Sequence, residues 1–187
     1  MTGEIAQTYW KIPFEWVRQT APPDDPLPDG WSWLDGRTLP EPVELVADVL
    51  ASSPGPEDRL TVDVLGAEEA ARRVLGLAPG FSYLRERWEV LSTRDRAAGF
   101  VLPVIYDGCS REGLDEATIY HMGVAPEHRR AGIGRLLLRR ATLLLVRHGV
   151  WRIYCDTASD NHPMIHLFET EGWTRLLAHE RPLVAPN

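Results

Sequence analysis

At 187 residues with a formal net charge of −7, the chain is long enough for one domain with a real core, and its acidic balance argues against a surface built for nucleic acid. An apolar share of 44% and a charged share of 25% are those of an ordinary soluble protein. The Leu-rich apolar run Ala141–Val146 is far too short to cross a bilayer, and Met-Thr-Gly-Glu at the start lacks a secretory pattern, so a cytoplasmic protein with no membrane partner is expected.

Residues Tyr9–Val17 alternate, with Trp10, Ile12, Phe14 and Trp16 on one side, the period of a strand. Pro13 would confine that strand to a sheet edge. The Pro- and Asp-rich stretch Ala21–Gly30 reads as a connector, so residues 1–30 form an N-terminal arm and residues 31–187 the domain. The tryptophans of the arm, Trp10 and Trp16, offer a contact for a homodimer. Gly30–Leu34 is a first short strand, ended by the turn signal Asp35-Gly36. Pro42–Leu50 and Ala67–Leu75 have helical spacing, and Ser52–Asp58 between them reads as a loop.

Trp88–Thr93 and Gly99–Tyr106 are paired strands across Arg94-Asp95-Arg96, and Asp107–Glu116 is a polar hairpin loop carrying Cys109. Ala117–Val124 is the central strand. Gly132–His148 is a helix that ends on Arg147-His148, matched to its dipole, and stops at Gly149. Val150–Thr157 is the next strand, Pro163 opens a helix that ends before Gly172, and Trp173–Leu177 and His179–Val184 close the sheet. Cys109 and Cys155 are the two cysteines and have no metal-ligand spacing. His162 and His166 lie four apart on a helix without an evident third ligand, and no metal is expected.

The order around Gly132 is strand, basic glycine turn, helix. Unpaired main-chain N–H groups at a helix start favour an anion, and Gly132 and Gly134 allow the backbone to approach it. Five arginines stand between Arg129 and Arg140. Arg129, Arg130 and Arg135 border the turn and add charge to a phosphate site, while Arg139 and Arg140 read as solvated surface. Nineteen arginines against one lysine, Lys11, carry no functional reading.

Arg129, Gly132 and Gly134 fit R-x-x-G-x-G after the hydrophobic-x-Pro step Val124–Pro126, whereas neither dinucleotide fingerprint is met. This resembles the acetyl-CoA loop of the GCN5-related N-acetyltransferase (GNAT) family. Asn161, Met164, Leu167, Phe168, Gly172 and Trp173 follow that family's second motif, and the likeness runs from about Glu86 to Leu177. The resemblance implies an α/β (α+β) fold: a mixed, mostly antiparallel sheet with splayed central strands, flanked by helices. It implies acetyl-CoA as cofactor. The pantetheine arm would pair with the main chain of Met122, Gly123 and Val124 and lie beside Asn161 and Phe168, and the diphosphate would sit on the amides of Arg130, Ala131, Gly132, Ile133, Gly134 and Arg135. Asn161 equally suits a helix N-cap. In the family two helices near residues 42–75 wall the acceptor site, which makes Glu57 and Asp58 candidate attractors for a cationic amine, beside their plainer reading as soluble loop residues.

Acyl transfer to an amine needs a base for the amine and a proton for the departing sulfur. His121, on the central strand and titrating in the useful range, is the first choice of base, with a histidine bonded within the sheet as the alternative. Glu116 and Asp156 are further candidates, and Cys155 is not expected to act as a nucleophile. Where Phe168 stands, many family members carry a tyrosine that protonates the thiolate. Tyr120, Tyr154, Ser159 or water would then serve, or the thiolate leaves unaided, or no transfer occurs. The resulting expectation is an acyltransferase acting directly on a primary amine of a small molecule or protein. The alternative is a catalytically silent CoA-binding module of the same fold.

Overall fold

The computed structural model describes residues 7–17, 20–35, 42–76, 78–82, 88–93 and 96–186. Its strands are β1 Thr8–Val17, β2 Ser32–Asp35, β3 Phe81–Ser82, β4 Glu89–Ser92, β5 Ala97–Tyr106, β6 Asp115–Val124, β7 Val150–Ala158, β8 Thr174–Arg175 and β9 His179–Pro182. Its helices are α1 Val43–Ala51, α2 Pro56–Leu65, α3 Ala67–Gly76, α4 Ile133–His148 and α5 His162–Thr170. One sheet runs in the order β2-β4-β5-β6-β7-β1-β8, with β3 added to β5 and β9 to β1. Each pairing is antiparallel except β6 with β7. The mixed sheet flanked by helices that the sequence predicts is the fold observed.

β5 is buried along almost its whole length, which is why it reads as a continuous apolar run and not as an alternation. On one face α4 buries Leu137, Leu138, Ala141 and Leu145 against Val101, Ile119 and Ile153. On the other face α1 and α3 bury Val46, Val49, Leu50, Ala70 and Ala71 against Phe100 and Leu102. α4 is bounded by two left-handed glycines, Gly132 at φ 79 and Gly149 at φ 93, and carries Arg147 and His148 in its last turn. Both ends match the expected helix.

Four expectations need correction. β1 is no edge strand or arm: it lies inside the sheet, with β7 on one side and β8 and β9 on the other. Pro13 is tolerated because its ring nitrogen faces the break between β8 and β9, where Leu176 N–H donates to Pro13 O at 2.9 Å. Trp16 is therefore buried against Trp173 and unavailable to a second copy, while Trp10 stays 52% exposed. Second, the stretch read as a loop at Ser52–Asp58 turns into α2 at Pro56. α2 buries none of its residues, so it offers no apolar stripe for a periodicity to reveal. Third, β3 is a two-residue strand on β5 that no pattern announced.

Fourth, Arg139 and Arg140 are not free surface. Arg139 pairs with Glu171 and with Asp25 at 2.8 Å, and Arg140 pairs with Glu89 at 2.6 Å and Asp24 at 3.1 Å. The acidic connector is thereby folded back onto α4. The expected turns at Gly36 and Arg94-Asp95 lie outside the described residues.

Candidate active site

β6 and β7 pair in parallel at Asp115↔Val150, Glu116↔Arg152 and Ala117↔Ile153, and no further. β6 meanwhile stays on β5 as far as Val124. Register along β5 shifts at Leu102/Pro103: Leu102 faces His121 and Pro103 faces Ile119, so Tyr120 is the extra residue of a bulge. Such a bulge bends and twists its strand, and here it coincides with the parting of β6 from β7. Beyond the fork, the main chain of Met122, Gly123 and Val124 has no strand on its β7 side, an edge suited to an extended ligand. A Cβ on Gly123 would sit 2.3 Å from Val49 Cγ1, so α1 packs against this segment at the closest distance glycine allows.

At the far end of β6, Pro126–His128 makes a 3-10 turn before α4. Arg130 and Gly132 both have positive φ, 65 and 79. Arg135 N–H and Leu136 N–H bond Gly132 O at 3.1 and 3.4 Å, and the N–H groups of Ile133 and Gly134 have no intrahelical acceptor. A Cβ on Gly134 would meet only Leu167 Cδ2 at 3.5 Å, an ordinary contact. Nothing in the packing demands glycine there, which fits a backbone kept bare for a ligand.

The three expected arginines do not act alike. Arg129 turns away from the loop: its guanidinium donates to Val124 O at 3.2 Å, Ser52 O at 3.2 Å and Ser52 Oγ at 2.6 Å, tying α1 to β6. Arg135 pairs with Glu171 at 2.8 Å, which also holds Arg139. Arg130 is exposed beside Ala131 and Gly132. Cation character at the turn therefore rests on main-chain N–H groups and Arg130 more than on an arginine trio.

The sheet face under α2 holds the titratable groups. His121 stacks on Phe100, with ring centroids 5.8 Å apart, and its Nε2 lies 3.5 Å from Asp58 Oδ1. His121 Nδ1 is buried with no partner among the described residues. Burial works against the charged form of Asp58, yet the hydrogen bonds of His121 and Ser53 hold its carboxyl below the ordinary value. Asp156 and Glu57 are both claimed by Lys11, at 2.8 and 2.9 Å. Glu116 pairs with Arg152 at 3.1 Å, at the closed end of the fork and away from His121. Tyr154 lies under the Arg152 guanidinium, 4.9 Å from its ring centroid, and burial pushes its phenol up. Sequence reading missed Lys11, although a single lysine among nineteen arginines was a signal open to use.

Asn161 caps α5, its Oδ1 accepting Met164 N–H at 3.4 Å while its Nδ2 donates to Thr157 at 3.1 Å. Phe168 does not line the fork: it is 2% exposed, stacks on Phe14 at 4.7 Å and meets Trp173 at a tilt with centroids 4.9 Å apart. His162 and His166 are exposed, and no group of three or more metal-ligating side chains occurs among the described residues. No helix among them is long and apolar enough to cross a membrane.

This fork, bulge and helix start fall within residues 58–173, over which the sequence matches the profile of the acetyltransferase (GNAT) family. The chain belongs to the GNAT family. It is similar to the [ribosomal protein bS18]-alanine N-acetyltransferase of Salmonella typhimurium, 31% identical over 83 residues, 44% of this chain and 51% of that protein. The protein of the same name from Escherichia coli K12 is 35% identical over 60 residues, 32% of this chain and 40% of that protein. The chain thus spans about half or less of the length of the curated relatives it matches. Among solved structures, a GCN5-related N-acetyltransferase from Sphaerobacter thermophilus superposes with TM-score 0.58 at 16% identity, over 95% of this chain and 53% of that one. The ribosomal-protein-S18-alanine N-acetyltransferase of Escherichia coli gives TM-score 0.51 at 17% identity, over 84% and 95%. At those identities the structures share the GNAT fold with this chain.

Proposed function

We propose that this GNAT protein is an acetyl-CoA-dependent N-acetyltransferase that moves the acetyl group directly onto a primary amine of a small molecule or a protein. One observation carries the reading: β6 and β7 part after Ala117/Ile153, and the fork joins a helix start with free N–H groups to the His121–Asp58 pair. Acetyl-CoA supplies an activated acyl group as a thioester. The amides of residues 130–135 would hold its diphosphate, and Met122, Gly123, Val124 and Asn161 its pantetheine arm.

His121 is the base. Nδ1 is buried, so the ammonium proton goes to the Nε2 lone pair, and the charged Asp58, 3.5 Å from that nitrogen, stabilises the imidazolium formed. Asp156 and Glu116 are committed to Lys11 and Arg152 and serve as charge partners. Tyr154, kept protonated by burial, is the donor for the departing thiolate. Tyr154→Phe should lower kcat and leave the affinity for acetyl-CoA unchanged.

The test is release of free thiol from acetyl-CoA across an amine panel. That panel includes a peptide beginning with alanine, because the relatives are named for an alanine of a ribosomal protein. Thiol release with at least one amine supports the reading, and tight acetyl-CoA binding with no amine consumed sinks it. A second reading, a CoA-binding module without transfer, rests on Phe168 standing where the family usually carries a tyrosine hydroxyl. The same assay separates the two.

A further inference from the structure

Lys11 stands on β1, outside the family-matched residues 58–173, and is the only lysine of the chain. Its Nζ lies 2.8 Å from Asp156 on β7 and 2.9 Å from Glu57 on α2, and its side chain is 16% exposed. α2 has no fully buried residue, and Val62 packs only partly buried against the α1 and α3 cluster. Its first turn is instead stitched down by three consecutive side chains reaching three places: Glu57 to Lys11, Asp58 to His121 at 3.5 Å, and Arg59 to Asp160 at 3.8 Å. The outermost of these, Arg59–Asp160, joins side chains 54% and 56% exposed, and a pair so solvated holds little. Glu57–Lys11 is the shortest of the three, and although Glu57 is 52% exposed its partner ammonium is only 16% exposed, so it helps the His121–Asp58 contact hold α2 above the fork.

We infer that Lys11 is a positioning residue for the His121–Asp58 pair: its ammonium, anchored on Asp156, pins the first turn of α2 through Glu57 and so keeps Asp58 on the imidazole. A lysine suits this role better than the arginine used everywhere else in the chain. A compact ammonium with three donors reaches two carboxylates on separate elements, where a planar guanidinium favours one carboxylate approached in plane. Lys11 touches no reacting atom. Its effect on proton transfer runs through Glu57 and Asp58, and it rests on the reading of His121 as base.

The experiment uses the full chain and the NMR signal of the His121 ring C–H, assigned by its absence from His121→Gln, at one fixed pH. Lys11→Met removes the charge at similar volume. The His121 signal should shift, amides of the first turn of α2 should exchange with solvent at least about tenfold faster, and those of α4 should keep their protection. Lys11→Arg, which keeps the charge but favours one carboxylate, should restore the signal only in part. In an Asp58→Asn background, adding Lys11→Met should leave the signal where Asp58→Asn alone puts it, because the route through Asp58 is already cut. In turnover, kcat should fall while KM for acetyl-CoA holds. A folded Lys11→Met protein with unmoved His121 signal and unchanged α2 exchange overturns the proposal. So does a shift of equal size in the Asp58→Asn background, which would mark a direct field effect. Neither readout needs turnover, so a wild-type protein that acetylates nothing would defeat the reading of function and leave this result standing on its own.

Discussion

Cys155 Sγ accepts the amide hydrogen of Ile119 across 3.4 Å, two residues along β6 from Ala117, its last parallel pair with β7. Thr118 Oγ1 lies 3.6 Å from the same sulfur. A side chain thus takes over where the strand ladder stops, and the last orphaned N–H at the apex of the fork is satisfied without closing it. Cys155→Val removes that acceptor and leaves a buried donor unpaired. It should cost about 1–3 kcal/mol of stability, read from urea unfolding, whereas Cys155→Ser, which keeps an acceptor, should cost less.

The same burial separates the two cysteines chemically. Cys155 is 5% exposed and its thiol is pushed up to about 12 by burial, while Cys109 is exposed. The thiolate is the reactive form. Alkylation of the native protein at pH 8 should therefore modify one thiol, Cys109, and both only after denaturation, as read by intact mass.

Gly134→Ala and Gly132→Ala should part company. The added methyl at 134 meets Leu167 at an ordinary 3.5 Å, so stability should change by less than about 1 kcal/mol. At 132 the left-handed φ of 79 penalises any side chain, and a loss of roughly 1–2 kcal/mol is expected. Both should weaken binding of acetyl-CoA, and the dissociation of stability from binding at 134 is the informative result.

Phe168→Tyr should not create a faster enzyme. Its ring is packed between Phe14 and Trp173, so the new hydroxyl would be buried without a partner and cost on the order of 1–3 kcal/mol. A large gain in kcat would show that this side chain can reach the fork.

Stability should decline on the alkaline side. Burial works to lower the Lys11 value, but Asp156 and then Glu57 hold it above the ordinary range, and burial raises Cys155 and Tyr106, each to about 12. Groups raised by folding stabilise fully below their unfolded values, about 8.5 for Cys and about 10 for Tyr and Lys, and that stabilisation is lost as pH climbs toward the folded ones. Asp58 is lowered, so its contribution is present above about 3.9 and is lost as pH falls below that. The urea midpoint should be flat near neutrality and drop from about pH 8.5 upward, with the part above pH 10 smaller in Lys11→Met. A midpoint rising between pH 9 and 11 would contradict these assignments.

Much of this was legible in the chain. Apolar spacing located α1, α3, α4 and β5, and Gly132 and Gly149 marked both ends of α4, because those features are local. α2 was invisible because none of its residues is fully buried, and its contacts include ion pairs to distant strands. β1 was misjudged because Pro13 normally marks an edge, and only the gap between β8 and β9 makes it harmless inside the sheet. His121 was found from its strand, but Asp58 stands 63 positions before it (121 − 58) and Lys11 110 (121 − 11), and no spacing rule encodes that. Arg129 and Phe168 fit motif positions whose side chains the fold then spends on packing and tethering.

Calorimetric titration of the folded protein with coenzyme A tests the central claim most directly. Saturable heat at one site per chain is expected, lost in Gly134→Glu, where a carboxylate would stand against the diphosphate. Absence of heat with the wild-type protein, or binding undiminished in Gly134→Glu, would contradict it.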